Sequence, residues 1–237
     1  MRYIGIIMFV WVLSCTTSSE SSGESATTTD SVHFPAQIDT VLEANNPEDL
    51  DLSEAQLFQD TTRNSSFYRQ VLSWSPRIYH QESIQLYVDE LKKGYRPAIK
   101  SLKKFPQVFI RLRKFENEFF LYDQCDGIDT RFEIKDGLFL TYEFWEVKPK
   151  AIEEIVNESQ KVLELIVWDN VWEKTSKSAR VLIEKSHFPH IYSLSYRTAS
   201  SQRTEWVTPL EEIASFDLIV NHCPKEKIAE YAGFESK

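Results

Sequence analysis

Thr130-Arg131-Phe132-Glu133-Ile134-Lys135-Asp136-Gly137-Leu138-Phe139-Leu140-Thr141-Tyr142-Glu143-Phe144-Trp145 reads as a β-hairpin. Two alternating runs flank Asp136-Gly137, and Asp-Gly between such runs is the strongest short hairpin signal, because both central residues of a type I′ turn need positive φ. From Leu138 to Trp145 both alternate positions are apolar or aromatic, so both faces of that strand are expected to be covered.

Working outward, Val108, Ile110 and Leu112 alternate with Arg111 and Arg113, and a turn at Glu116-Asn117 leads into Phe119-Phe120-Leu121-Tyr122. Downstream, Pro149 is expected to end the hairpin's second strand, and further strands are expected at 162–168, 180–184, 190–196 and 216–220. Roughly eight short strands with hairpin-length links and no crossover helices predict an antiparallel meander. Residues 38–105 read as helical. Asn46-Pro47-Glu48-Asp49 and Ser53-Glu54-Ala55-Gln56 carry helix-start patterns. Ser83 is expected to cap a helix with Ile84, Tyr87, Val88 and Leu91 on one face, ending at Gly94. A last helix is expected after Pro224, with Ile228 and Tyr231 on one face and Gly233 at its end.

The class is therefore α+β. About 200 residues after the N-terminal segment fit one globular unit, with a helical extension at 36–106 and a β domain at 107–237. Eight strands followed by a terminal helix resemble a calycin or lipocalin-type closed barrel, although the Gly-x-Trp of lipocalins is absent. An open, strongly curved sheet on the N-terminal helices is the alternative.

The start of the chain has its own reading. Met1-Arg2 precedes the uncharged run Tyr3–Leu13, a signal peptide in outline that is about half the roughly 20 residues a membrane-spanning helix needs. Val12-Leu13-Ser14-Cys15 resembles the lipobox of bacterial lipoproteins, with Leu13 departing from the small residue usual at the middle position. That resemblance implies a signal peptide at 1–14, lipidation of Cys15, and a membrane as partner through the lipid. The polar, mildly acidic stretch through residue 35 reads as a flexible tether. It is similar to surface-export segments of Bacteroidota lipoproteins, so the address implied is the bacterial envelope, at the periplasmic face or the cell surface.

Formal net charge is −9, which argues against nucleic acid and anionic headgroups as partners. Of the three Cys, a lipidated Cys15 leaves Cys125 and Cys223, either a disulfide or two separate buried thiols. No cofactor is indicated. The six Gly form no phosphate-binding loop, and no nucleophile elbow, His-Glu-x-x-His or Cys-x-x-Cys is present. Asp123, Asp126 and Asp129 could offer oxygens to a hard cation, but their spacing is that of a polar turn. His187, His190 and His222 would hold zinc only if distant turns met.

Aromatic side chains are the surplus, with Tyr142, Phe144, Trp145 and Trp168 as candidate ligand-facing residues. Two functions are weighed. One is non-enzymatic binding of an apolar small molecule or an envelope protein; the other is an envelope hydrolase assembled from scattered Asp, Glu and His. A cavity lined by apolar groups favours the first, and ionisable groups converging in one pocket favour the second.

Overall fold

A computed structural model describes residues 41–44, 46–94, 102, 105–125, 127–143, 145–168, 178–224 and 231–235, all within the compact unit Pro35–Lys237. The signal segment, Cys15, the tether, Asp126, Phe144 and most of the expected last helix lie outside these residues. In chain order the elements are β1 (Leu42–Ala44), a 3-10 turn (Pro47–Asp49), β2 (Gln56–Asp60), α1 (Ser66–Ser73), α2 (Ile78–Gly94), β3 (Val108–Phe115), β4 (Glu118–Gln124) and β5 (Gly127–Ile128). Then follow β6 (Arg131–Lys135), β7 (Leu138–Tyr142), β8 (Val147–Glu158), β9 (Val162–Trp168), β10 (Ser178–Lys185), β11 (Tyr192–Arg197), β12 (Gln202–Pro209), a second 3-10 turn (Leu210–Ser215) and β13 (Leu218–His222).

From β6 to β12 each strand pairs antiparallel with the next. β12 then pairs with β3, and β3 with β6, which closes an eight-stranded up-and-down barrel. The fold is thus α+β with a lipocalin-like barrel. Asp136 (φ 51°) and Gly137 (φ 76°) both sit at positive φ, as the type I′ turn between β6 and β7 requires. β3 does double duty: Phe109 to Leu112 pair with β12, while Arg113 to Phe115 pair with β4. Through β4 it joins a side sheet in which β13 runs parallel to β4 and antiparallel to β2. Cys125, after β4, and Cys223, after β13, are disulfide-bonded with their Cα atoms 5.4 Å apart.

Alternation along the strands feeds separate cores. Phe109, Phe132, Ile134, Phe139, Leu163, Leu165, Val167, Val181, Ile183, Leu194 and Val207 fill the barrel interior. An eight-stranded barrel is just wide enough for side chains to fill it. Outside, α2 lays Tyr87 and Leu91 on Leu138, Leu140, Tyr142 and Ala151, and the Tyr87 hydroxyl accepts a hydrogen bond from the Ala151 amide at 2.9 Å. α1 packs Tyr68 and Val71 with Ile110, Leu112 and Leu121. Ser65 caps α1, its hydroxyl accepting from the Tyr68 amide at 3.0 Å. Among the described residues no helix is long and apolar enough to cross a membrane.

Several local expectations are corrected. β8 and β12 belong to the barrel, whereas the expected strands at 119–122 and 216–220 became β4 and β13 of the side sheet. Pro149 does not end a strand. It lies inside β8 opposite Leu140, in the half of β8 that pairs with β7 only, so a missing amide donor is tolerated as at an edge. The 38–105 segment is only partly helical. The Asn46 start yields a single 3-10 turn, and the Ser53 pattern a turn leading into β2, where Leu57 and Phe58 are pulled into buried cores. Ser83 is not a cap: α2 begins at Ile78, and the Ser83 hydroxyl bonds back to the Tyr79 carbonyl at 2.9 Å. Tyr231 to Gly233 are not helical; the Tyr231 amide donates to the Tyr122 hydroxyl at 3.2 Å instead.

Candidate ligand site at the barrel mouth

The two ends of the barrel are built differently. At one end Phe105 closes over Phe109 and Tyr192, with ring centroids 5.9 and 5.8 Å away, and Leu102 is buried with them. At the other end lies a cavity of about 180 Å³. Its floor is apolar and aromatic: Phe132, Phe139, Leu194 and Tyr196. Its walls and rim carry Arg111, Thr141, Glu143, Lys148, Lys150, Arg203 and Glu205.

Period-two geometry puts these groups together. Thr141 stands opposite Lys148 and Phe139 opposite Lys150 across β7 and β8. Tyr196 faces Arg203 and Leu194 faces Glu205 across β11 and β12. Phe132 and Phe139 stack with centroids 6.1 Å apart, and the Lys150 ammonium lies 4.7 Å over the Tyr196 ring, a cation–π contact.

The charges are arranged around two carboxylates, the partly buried Glu205 and the buried Asp129. Glu205 accepts from Arg111 Nε at 2.5 Å and Nη2 at 2.8 Å, a bidentate pair, and it also meets Arg203 Nε at 2.5 Å. Just outside the lining, Asp129 accepts from Arg113 Nε at 2.6 Å and Nη2 at 2.8 Å, from Arg111 Nη1 at 3.2 Å and from the Thr130 amide at 2.7 Å. Asp129 is therefore more than a polar turn residue: it pins both arginines of β3. Burial alone would lower the Arg113 pKa, but attraction and hydrogen bonding from Asp129 raise it above its ordinary value. At the rim, Lys148 donates to Glu143 at 2.6 Å. Desolvation opposes the Glu143 charge, yet the Lys148 hydrogen bond and attraction outweigh it and hold the carboxyl below its usual range. Desolvation likewise opposes the Lys148 charge and is outweighed by Glu143 and Glu146, so its pKa is raised.

The sequence-predicted candidates are not at this site. Tyr142 points outward, under α2, where its hydroxyl donates to Glu133 at 2.8 Å and burial raises its pKa. It lines a groove of about 470 Å³ between α2 and the β6–β7 face. Trp168 packs on the same outer core, Trp145 is 68% exposed beyond β7, and Phe144 is outside the described residues. The reason lies in the phase of β7: Phe139, not Tyr142, is the inward aromatic. His190 pairs with Glu212 at 2.7 Å, His222 Nε2 lies 3.1 Å from the Leu52 carbonyl, and Cys223 is committed to its disulfide. No group of three metal-ligating side chains converges among the described residues.

The cavity residues that sequence reasoning missed are Arg111, Lys148, Lys150, Arg203 and Glu205. The legible signal was an opposite-charge match, Arg111-x-Arg113 in one strand against Arg203-x-Glu205 in another, but 202–205 reads as loop. No family model, curated protein or solved structure matches the chain.

Proposed function

We propose that this chain is a non-enzymatic binding protein that holds a small molecule in the mouth of its barrel and is displayed in a bacterial envelope from a lipid on Cys15. The observation that carries the binding reading is the cavity of about 180 Å³ over Phe132, Phe139, Leu194 and Tyr196. Sites for drug-sized ligands run to roughly 300–1,000 Å³, so the occupant is a single ring or a short chain and not a long lipid.

Ionisable groups do converge here, which favours the hydrolase at first sight. Their tuning argues otherwise. A general acid needs a carboxyl raised toward neutral pH and a general base lysine one lowered toward it. Glu143 is shifted down and Lys148 up, each deeper into its charged form, and Glu205 is clamped between two guanidinium groups. Such groups are suited to orienting and attracting a ligand.

The binding reading is tested by filling the cavity. Thr141→Phe in the full chain is expected to abolish saturable binding of single-ring probes seen by ligand-detected NMR. Equal binding by that variant and the parent would place the ligand elsewhere and sink the reading. The anchor is tested separately: Cys15→Ala should lose labelled palmitate and partition into the aqueous phase of a detergent separation.

A further inference from the structure

We infer that the ligand of the barrel mouth is a small organic anion, a monocarboxylate with a compact apolar body, whose carboxylate meets Arg203 at the rim while its body lies on Tyr196, Phe139 and Phe132. This inference rests on the small-molecule reading of that cavity and names the chemical class it takes.

The first ground is charge. Four cations, Arg111, Lys148, Lys150 and Arg203, line the cavity against two carboxylates, Glu143 and Glu205, in a chain whose formal net charge is −9. The mouth is thus a cationic exception on an acidic protein, and a funnel walled by low-dielectric side chains concentrates the counter-charge it attracts.

The second ground is that the internal carboxylates are already spent. Glu205 serves two guanidinium groups at once, and Glu143 takes Lys148. Three arginines, Arg111, Arg113 and Arg203, share the two carboxylates of Glu205 and Asp129, which leaves a positive remainder. Arg203 is the group placed to use it. Its side chain is 63% exposed and its Nε is the atom nearest Glu205, so the terminal fork extends over the opening, where a planar oxyanion can accept two parallel hydrogen bonds.

The third ground is the floor. Phe132, Phe139 and Leu194 offer no hydrogen bonds, so an inorganic anion would leave them covered by nothing but water. An apolar body removes that surface from water, at ~25 cal/mol per Å². The cavity's small volume limits the body to one ring or a few carbons. A cationic ligand would face like charge, and a neutral one would gain no charge-assisted hydrogen bond from Arg203, so the same groups that attract an anion also select against its analogues.

The test is calorimetric titration of the full chain with benzoate, benzyl alcohol, benzylamine and inorganic phosphate, repeated on Arg203→Gln. The exposure of Arg203 makes loss of fold in that variant a separate, checkable event, read by its melting temperature. Benzoate is expected to saturate at least tenfold tighter than benzyl alcohol, to weaken as salt screens the rim, and to lose at least fivefold in Arg203→Gln while benzyl alcohol changes less than twofold. Benzylamine and phosphate should not saturate. If benzyl alcohol binds as well as benzoate, or if benzoate is indifferent to Arg203→Gln, the anion class falls and the small-molecule reading survives. Phosphate binding as tightly as benzoate overturns the apolar body. No saturation by any of the four overturns both this inference and the reading beneath it.

Discussion

The two ends of the barrel share the same eight strands and differ in what those strands point inward. Between the ends, β9 and β10 contribute Leu163, Leu165, Val181 and Ile183, all fully buried, and at the closed end Phe105 packs on Phe109 and Tyr192. At the open end the inward positions of β3, β8 and β12 become Arg111, Lys148, Lys150, Arg203 and Glu205. Apolar side chains of matched volume interdigitate and leave no space. Long charged side chains cannot: each must keep its head among partners or water, and the gap they hold open is the cavity. Apolar packing is therefore concentrated at one end and charge at the other.

The largest expected effect breaks the closed end. Phe105→Ala removes a buried side chain and should cost about 3–5 kcal/mol in denaturant unfolding. Ligand affinity, measured under conditions where the variant is still folded, should stay within twofold. A matching loss of affinity would show that the two ends are not separable.

A smaller effect is expected from Glu205→Gln at the open end. Arg111 keeps Asp129 at 3.2 Å, so the loss should be about 2 kcal/mol and not the full penalty of an orphaned buried charge. Removing that carboxylate makes the rim more cationic, so benzoate should bind more tightly while stability falls. Opposite signs on the two readouts are what separates a recognition device from a structural one.

The smallest effect concerns pH. Desolvation opposes the Glu143 charge, but the Lys148 hydrogen bond and attraction outweigh it and hold the carboxyl below its ordinary range. A depressed carboxyl contributes stability that is present above its unfolded pKa and lost as pH falls through the folded one. The stability difference between the parent and Glu143→Gln should therefore be seen at neutral pH and disappear as the solution is acidified below the ordinary carboxyl range. A difference that stays constant over that range would mean that the Glu143–Lys148 pair contributes nothing.

Much of the architecture was legible. The Asp136-Gly137 turn with its two alternating runs is where the sequence expects it, and both residues have positive φ. Ile84, Tyr87, Val88 and Leu91 fall within α2, as their spacing suggests. What misled was the assumption that one side of a strand is wet. Along β3, Ile110 and Leu112 are the outward residues, buried under α1 and its neighbours, while Arg111 points into the barrel. An alternating apolar and charged strand normally turns its charges to solvent; here both faces are covered, so alternation could not say which face was the interior. β12 was missed for the same reason, because Gln202-Arg203-Thr204-Glu205 reads as loop until its partners in β3 and β11 are known.

By itself the sequence determined the α+β class, the antiparallel meander and its central hairpin, because turn chemistry and period-two alternation act over neighbouring residues. It also contained every charge of the candidate site without assigning any of them to it. Only the tertiary structure decided which strands close the ring, that β4 and β13 leave it for a side sheet, and that Arg111, Lys148, Lys150, Arg203 and Glu205 meet at one mouth. Those outcomes depend on pairings between residues far apart in the chain, 94 positions in the case of Arg111 and Glu205, and such pairings are fixed by the closure of the whole barrel and not by any local preference.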